Sequence, residues 1–283
     1  MRIARIVILY FILAGNACRA QSLFEIANQQ FDSQRYTIAA GNFNQFVSSQ
    51  TSTDTIAYCY KHLAECYVQL HYYDSAQIMC NLLLHNNFKE IGAIGTSNIN
   101  PSGNYKHYAS TLLSDLYEYQ HHYDSALYYL TLSDTKYPFI SYCGNEIYSD
   151  NYGKDRKYSR LYEKTGHHKR AEKQLLQIAF FTHASDTGFL NDLKKLLLQD
   201  HHINGYKRAL GTSVNKIKMR SKKIPHSRHR YSYYYVKFSK VKMYLPYKVK
   251  EDSLNSIPEI LLTKKEIAEK LKQSAFYQMV QSL

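Results

Sequence analysis

The sequence is poor in the residues that interrupt helices. Its 283 residues include 11 glycines, 5 prolines and no tryptophan. Because glycine and proline are the least favourable residues in a helix interior, this scarcity favours a helical fold. Hydrophobic residues make up 45% of the chain, which suffices for a buried core. The length predicts one extended domain with a tail and excludes a string of several globular domains.

Acidic residues are absent from one long stretch. Between Lys207 and Lys250 there are 14 lysines and arginines and no aspartate or glutamate, and because the whole chain carries +13, the remainder is left with −1. A nearly neutral body with a basic tail predicts an anionic partner for that tail. The alternative is a solvated stretch without fixed structure.

Catalytic motifs are also missing. The sequence has no phosphate-binding glycine loop, no G-x-S-x-G turn and no H-E-x-x-H helix. Histidine doublets at 121–122, 167–168 and 201–202 suggest a metal, but no carboxylate or cysteine recurs with them, and neighbouring side chains in a turn point apart. We therefore expect a protein that is not an enzyme and has no cofactor or metal, with a metal-dependent protein or enzyme using these histidines as an alternative.

The first 20 residues have the order of a secretion signal. Arg2 and Arg5 precede an apolar run at 6–14, and small residues lead to Ala20. The run is shorter than the ~20 residues that cross a membrane. We predict cleavage after Ala20 and export to the periplasm or cell envelope, with a buried first helix as the structural alternative.

Lipid attachment at Cys18 is a further alternative, although the preceding residues 15–17 lack the leucine expected three places upstream. Four other cysteines, Cys59, Cys66, Cys80 and Cys143, fit no zinc spacing. An oxidising compartment would permit a Cys66–Cys80 bridge across a helix hairpin. The simpler expectation is four small buried hydrophobic residues.

A short phrase recurs along the chain and ends each time on alanine. Its copies are 35–39, 72–76, 122–126 and 167–171, with a weaker copy at 205–209. Asp74 and Asp124, each beside a serine, are predicted to be helix N-caps in these copies. Each copy lies between two helix-like segments, so the pattern predicts stacked helix hairpins that together bury an apolar face.

The pattern resembles the tetratricopeptide repeat family over residues 22–215. That family places a small residue and an aromatic in the first helix and an alanine in the second, often with a closing proline. The signature residues here are Ala27, Ala39, Ala64, Tyr67, Ala76, Tyr117, Ala126, Pro138, Tyr162 and Ala171. The resemblance implies an all-α, right-handed α-solenoid of about four to five helix hairpins that binds a protein or peptide in its groove.

The expected organisation has four parts: a signal peptide at 1–20, the repeat solenoid at 21–215, an irregular basic and tyrosine-rich segment at 216–250, and a helical segment at 251–283. Alternation at 241–245 indicates a short strand or an interfacial segment. Thr263 and Glu266 have the spacing of a capping box. Ile267, Leu271, Ala275 and Met279 then recur at four-residue spacing, which predicts one capping or docking helix. Loops are expected at 92–104 and 141–153.

The basic segment is the candidate site for an anionic membrane surface or polysaccharide. Tyrosines among cations also suit nucleic acid, which export argues against. The candidate residues are Lys216, Lys218, Arg220, Lys222, Lys223, Arg228, Arg230, Lys237, Lys240 and Lys242. The predicted function is a non-catalytic scaffold of the cell envelope, attached peripherally to the membrane. An envelope sensor with repeat input and C-terminal output is the alternative.

Overall fold

The protein is described by a computed structural model that covers residues 23–49, 53–88, 104–139, 144–181, 186–199, 203–223, 230–247 and 262–283. The chain divides into two compact units, Met1–Cys143 and Gly144–Leu283, called unit 1 and unit 2 below. The predicted signal peptide, Cys18 and Cys143 lie outside the described residues, as does most of the predicted loop at 92–104.

Unit 1 consists of three successive helix hairpins. Its helices are α1 (23–32), α2 (Tyr36–Ser49), α3 (Thr53–Gln69), α4 (Tyr73–His85), α5 (Tyr105–Tyr119) and α6 (Tyr123–Thr135). The second helix of each hairpin packs on the first helix of the next, and α3 also contacts α5. The all-α class and the consecutive hairpins predicted from the sequence are confirmed.

Unit 2 begins with a fourth hairpin and continues differently. Its helices are α7 (Gly144–Lys164), α8 (His168–Ile178), a 3₁₀ turn at Ala179–Phe181, α9 (Thr187–Gln199), α10 (Ile203–Val214), α11 (Lys264–Lys272) and α12 (Ala275–Ser282). Between α10 and α11 lie three strands: β1 (Lys218–Lys223), β2 (Arg230–Phe238) and β3 (Val241–Tyr244). The basic segment, expected to be irregular apart from one short strand, is therefore largely a sheet.

All four hairpins turn in the same way. A residue five places before the repeated alanine has positive φ in each turn: Gln34 (59°), His71 (60°), His121 (62°) and Gly166 (78°). This left-handed conformation ends a helix in the Schellman motif. The shared turn explains why the repeated phrase has a fixed length although the hairpins are 37, 50 and 45 residues apart.

The backbone hydrogen bonds of these turns are equivalent too. The amide after each left-handed residue donates to a carbonyl five places back, as from Tyr72 to Tyr67 (2.8 Å), His122 to Tyr117 (2.8 Å) and His167 to Tyr162 (2.7 Å). In the first hairpin the Arg35 amide donates to the carbonyl of Gln30 at 2.8 Å. Gln30 lies where the other three first helices have a tyrosine. Sequence periodicity thus corresponds to a periodic structure at four sites of the described chain.

Small residues let the paired helices approach closely. Ala39, Ala64, Ala76 and Ala126 are fully buried at hairpin interfaces. At the same interface in the third hairpin, the buried hydroxyl of Ser114 donates to the carbonyl of Ala126 at 2.8 Å. A larger side chain at these positions would push the helices apart, because protein interiors have little free volume.

Unit 2 has one core that joins its helices and its sheet. Leu176 of α8, Phe189 and Leu197 of α9, Val236 of β2 and Phe276 of α12 all belong to one buried cluster. Phe276 packs edge-on against Phe180 of the 3₁₀ turn, with ring centroids 5.3 Å apart. The sheet and the C-terminal helices therefore close the core that α8 and α9 leave open.

The sheet has the order β1-β2-β3 and is antiparallel throughout. Tyr235 lies opposite Lys218 on one side and Tyr244 on the other. Val236, Phe238, Val241 and Met243 point into the core, and the alternate residues point outward. The sequence pattern indicated β3 but missed β1 and β2.

Three other expectations differ in detail. Asp74 and Asp124 are not the N-caps, because Tyr72 and His122 occupy that position in α4 and α6 and the two aspartates lie in the first turn. Most of the loop predicted at 141–153 is helix α7, because tertiary contacts outweigh the weak helix propensity of its glycines and asparagines: the Tyr152 hydroxyl donates to Asp186 Oδ2 (2.6 Å), and Arg156 pairs with the same oxygen (3.2 Å). In the weak fifth copy Ala209 is exposed and Leu210 is buried. Helix α10 packs on β2, α11 and α12, so this copy does not continue the repeat.

The C-terminus is helical as predicted, but it forms two helices. Thr263 and Glu266 make the predicted capping box, with the Thr263 amide donating to Glu266 Oε2 at 2.7 Å. Ser274 starts α12 by accepting from the Tyr277 amide. Because the chain bends at this second cap, Phe276 and Val280 face the core in place of the predicted Ala275 and Met279 positions.

Cys59, Cys66 and Cys80 are buried and carry free thiols, so the Cys66–Cys80 bridge does not form. Burial raises the pKa of each of these thiols to about 12. They act as small hydrophobic residues, as predicted. Within the described ranges no helix is long and apolar enough to cross a membrane.

Candidate functional site

The repeat-signature residues lie at the hairpin interfaces. Ala27, Ala39, Ala64, Ala76, Ala126 and Ala171 are fully buried. Tyr67, Tyr117 and Tyr162 are half-buried and end the first helices, and Pro138 follows α6. The Tyr67 hydroxyl accepts from Asn44 Nδ2 of the preceding hairpin at 2.9 Å, so this tyrosine joins two repeats. These residues build the scaffold on which the exposed side chains are arranged.

The first helices of unit 1 are connected by polar side chains that they share. The Tyr58 hydroxyl of α3 donates to Asn28 Oδ1 of α1 at 3.1 Å. On the other side of α3, Glu65 lies close enough to Tyr108 of α5 to raise the pKa of its phenol, after the larger effect of burial. We call this surface of α1, α3 and α5 the first-helix face. Three hairpins contribute to it, so it exists only when they are stacked.

Glu65 lies at the centre of the first-helix face. Its carboxylate is 3.9 Å from Lys61 Nζ and 3.0 Å from His62 Nδ1, and its side chain is 29% exposed. Lys61 also lies over the Tyr108 ring, 5.3 Å from its centroid. A half-buried carboxylate held by a cation, an imidazole and a phenol can accept hydrogen bonds from a bound ligand through its exposed edge.

Burial sets the protonation of the surrounding phenols. Desolvation raises the pKa of Tyr108 well above its usual value, and Glu65 raises it further. Burial also raises the pKa of Tyr58, followed by the charge of Asp32. Both phenols therefore stay protonated at neutral pH and serve as hydrogen-bond donors, not as bases.

Two buried polar atoms near this face lack a hydrogen-bond partner within the described residues, namely Gln30 Oε1 and His62 Nδ1. The approach of Glu65 to His62 Nδ1 is close but is not aligned as a hydrogen bond, so it acts as an electrostatic contact. His62 is held between Phe31 (4.6 Å), Phe43 (5.7 Å) and Tyr58 (4.2 Å). Packing between these three rings fixes the orientation of His62 and keeps its Nδ1 buried.

A second surface lies on the outer side of the unit 2 sheet. Residues directly opposite each other in an antiparallel pair share a face, so the register brings the cations of three strands together. The outward cations are Lys218, Arg220, Lys237 and Lys242. Among the described residues no carboxylate forms an ion pair with any of them.

Tyrosines lie between these cations. Tyr233 contacts Tyr244 edge-on at 5.3 Å and Tyr235 at 6.2 Å, and Lys242 Nζ lies 5.7 Å from the centre of the Tyr235 ring. We call these four cations and three tyrosines the basic sheet face. Its tyrosine rings contact one another and a lysine, so they form a packed layer between the charges.

The predicted anionic-surface residues are only partly brought together. Lys218, Arg220, Lys237 and Lys242 share the basic sheet face, and exposed Lys240 lies in the β2–β3 turn beside it. Lys216 is exposed just before β1. Lys222, Lys223 and Arg230 are placed by the backbone of β1 and β2, and Arg228 lies outside the described residues.

Histidine doublets occupy the hairpin turns but not at equal positions. His121 is the left-handed residue of its turn, whereas in the next hairpin that position is Gly166 and the doublet 167–168 follows it. His71 and His121 each contact a tyrosine hydroxyl two residues on, Tyr73 (2.8 Å) and Tyr123 (2.9 Å). The described residues hold no group of three or more His, Cys, Asp or Glu that could bind a metal; residues 201–202 are outside them.

The sequence did not predict which residues come together on either surface. The network around Glu65 joins residues of α1, α3 and α5 that the repeat pattern treats as variable. Alternation in 233–238 is the signal that would have found β2, but a run of three tyrosines hides it. The turn Ser239–Lys240 lacks the asparagine and glycine that mark a tight hairpin.

No protein-family model matches the sequence, and no curated protein matches it. Among solved structures the chain is similar to a thermophilic TPR protein of Thermus thermophilus. The two are 14% identical, the match covers 65% of this chain and 84% of that chain, and the TM-score is 0.34. A TM-score of this size supports no inference, so the repeat character rests on the turns and interfaces of the protein itself.

Proposed function

We propose that the protein is a non-catalytic scaffold that binds a protein or peptide on the first-helix face of unit 1. The observation that carries this proposal is the polar network of Tyr58, Glu65 and Tyr108, which three stacked helices build together. Stacked helical repeats commonly present such a surface to a partner.

Site-specific photo-crosslinking in the native host tests this proposal. A photoreactive amino acid placed at Lys61, on the first-helix face, should yield a defined crosslinked protein. The control places it at Ile78 on the second helix of the same hairpin, which is 56% exposed and therefore more accessible than Lys61, whose side chain is 15% exposed. Crosslinking at Ile78 with none at Lys61 would contradict the proposal.

A charge-neutral variant sharpens the same test. Glu65→Gln keeps the size of the side chain and removes the charge that faces His62, while the photoreactive amino acid replaces Lys61 in both proteins that are compared. We expect it to weaken crosslinking from Lys61 by about tenfold, as loss of a charge-assisted hydrogen bond does. Unchanged crosslinking would show that the ligand does not use Glu65.

We further propose that the scaffold works outside the cytoplasm, because residues 1–20 have the charge and apolar pattern of a secretion signal. Mass spectrometry of the mature N-terminus in the native host tests this. A chain that begins at Gln21 in an envelope fraction agrees with export. A cytoplasmic chain that retains Met1 contradicts it.

A further inference from the structure

We propose that the basic sheet face binds the phosphate groups of an anionic lipid membrane. This inference goes beyond the scaffold proposed above, because it concerns unit 2 and can fail while the first-helix face still binds its partner.

The sheet presents its cations from a fixed base. Its inner side chains Val236, Phe238 and Met243 are buried, and the Phe238 ring contacts Tyr206 of α10 at 5.4 Å. The outer side chains therefore start from a rigid backbone, and little backbone ordering is needed on binding. Three strands at about 4.8 Å spacing spread the cations over about 10 Å in one plane.

Two of the cations oppose each other in a way that disfavours folding. Lys237 and Lys242 are direct cross-strand partners, and like charges at such positions destabilise a sheet. Lys240, two or three residues away, adds a third lysine at the end of the hairpin. Because no carboxylate among the described residues pairs with Lys237 or Lys242, an external anion would relieve this repulsion.

The turn between Lys237 and Lys242 also has an unfavourable backbone conformation. Ser239 and Lys240 both have positive φ, 45° and 65°, as in the two-residue turns that favour asparagine and glycine. A lysine in this conformation is strained relative to glycine. The charged Lys240 therefore occupies a turn position at which glycine or asparagine would be more stable.

The tyrosines favour a lipid surface over nucleic acid. Base stacking needs an open ring face, whereas Tyr233, Tyr235 and Tyr244 contact one another and Tyr235 has Lys242 above it. Tyrosine with its polar tip is suited to the membrane–water interface. Cations in one plane match the phosphates of a lipid layer, which also lie in a plane.

Vesicle co-sedimentation of the full chain tests the proposal. The vesicles are phosphatidylcholine alone, or phosphatidylcholine with about one third phosphatidylglycerol. Each surface cation contributes about fivefold to partitioning onto anionic lipid. Lys237→Gln with Lys242→Gln should therefore lower binding to anionic vesicles about 30-fold and leave binding to neutral vesicles unchanged. Because all variants keep the same N-terminus, its contribution cancels in the comparison.

The matched control removes the same charge elsewhere in unit 2. Lys264→Gln with Lys265→Gln changes two exposed lysines of α11 and should lower binding less than threefold. A charge-preserving pair, Lys237→Arg with Lys242→Arg, should bind like the wild type. Equal loss in the control and test pairs would overturn the site, since net charge alone would then explain binding.

Stability separates a binding role from a structural one. Relief of the like-charge pair should raise Tm by about 1–2 °C in the Lys237→Gln, Lys242→Gln variant while membrane binding falls. A fall in Tm that parallels the loss of binding would overturn the proposal. So would tight binding of a single-stranded oligonucleotide that the variant loses while vesicle binding persists, because the surface would then be a nucleic-acid site.

Discussion

Unit 1 and unit 2 bury their cores by different means. Unit 1 repeats one hairpin, so each interface uses the same small residues and contacts only its neighbours along the chain. Unit 2 starts with the same hairpin but then joins α9, α10, a sheet and two short helices into one cluster. Repeat stacking can be extended by adding copies, whereas the core of unit 2 is closed by elements distant in sequence.

The two kinds of core leave different positions available for a binding surface. A repeated interface fixes only some positions of the first helices, and the Glu65 network occupies half-buried positions that the interface leaves free to vary. A closed core lets a charged sheet stand on a fixed base, and the basic sheet face is built that way. Four substitutions or pairs of substitutions test this difference between the units.

The largest effect on stability should come from removing one large buried side chain from the core of each unit. Phe43→Ala in unit 1 and Phe276→Ala in unit 2 each remove a fully buried ring, and each should cost about 3–5 kcal/mol. Hydrogen exchange read by mass spectrometry should show lost protection in the unit that carries the change. Equal loss in both units from either variant would contradict two separately packed cores.

A true repeat position and an apparent one should respond differently to a larger side chain. Ala126→Leu overpacks the α5–α6 interface and should cost about 1–3 kcal/mol. Ala209→Leu, at the exposed alanine of the weak fifth copy, should change stability by less than about 0.5 kcal/mol. Chemical denaturation measures both. Similar costs would mean that the fifth copy packs as a repeat.

Substitutions at the equivalent left-handed positions of two turns should change the stability in opposite directions. Gly166→Ala should cost about 1 kcal/mol because its φ is 78°, although no atom obstructs the added methyl group. His121→Gly, at the same position of the third hairpin with φ 62°, should stabilise by about 0.5 kcal/mol. Thermal unfolding distinguishes them, and two changes of the same sign would refute the equivalence of the turns.

The smallest effect concerns the capping box that starts α11. Hydrogen bonds from the Thr263 amide, then from its hydroxyl, lower the pKa of Glu266. The stability from this shift is present above the unfolded pKa of about 4.3 and is lost as pH falls through the lowered folded value. Wild type and Glu266→Gln should therefore differ more at pH 6 than at pH 3 in thermal unfolding. A difference that grows on acidification would contradict this linkage.

The sequence was most informative where contacts are local. Ala64, Ala76 and Ala126 were recognised because a hairpin interface lies within about twelve residues of chain, and the Thr263–Glu266 cap because it lies within one turn. The aromatic position of the first helices was also recognised, at Tyr67, Tyr117 and Tyr162. Such features depend on few residues, so the pattern alone can specify them.

Contacts between distant segments could not be predicted in this way. Helix α7 extends through glycines and asparagines because Tyr152 and Arg156 meet Asp186, which lies 34 and 30 residues further along the chain. The basic segment forms a sheet because Val236 and Met243 complete a core begun by α8 and α9. Glu65 and Tyr108 lie 43 residues apart in the sequence, and no local pattern connects them.

The basic segment is a folded surface of unit 2, and hydrogen exchange over residues 230–245 can verify this. We expect the β2 and β3 amides to exchange as slowly as those of α8, because both belong to one core. Exchange at the rate of an unfolded chain, with α8 still protected, would contradict the claim. It would also remove the rigid base on which the basic sheet face depends.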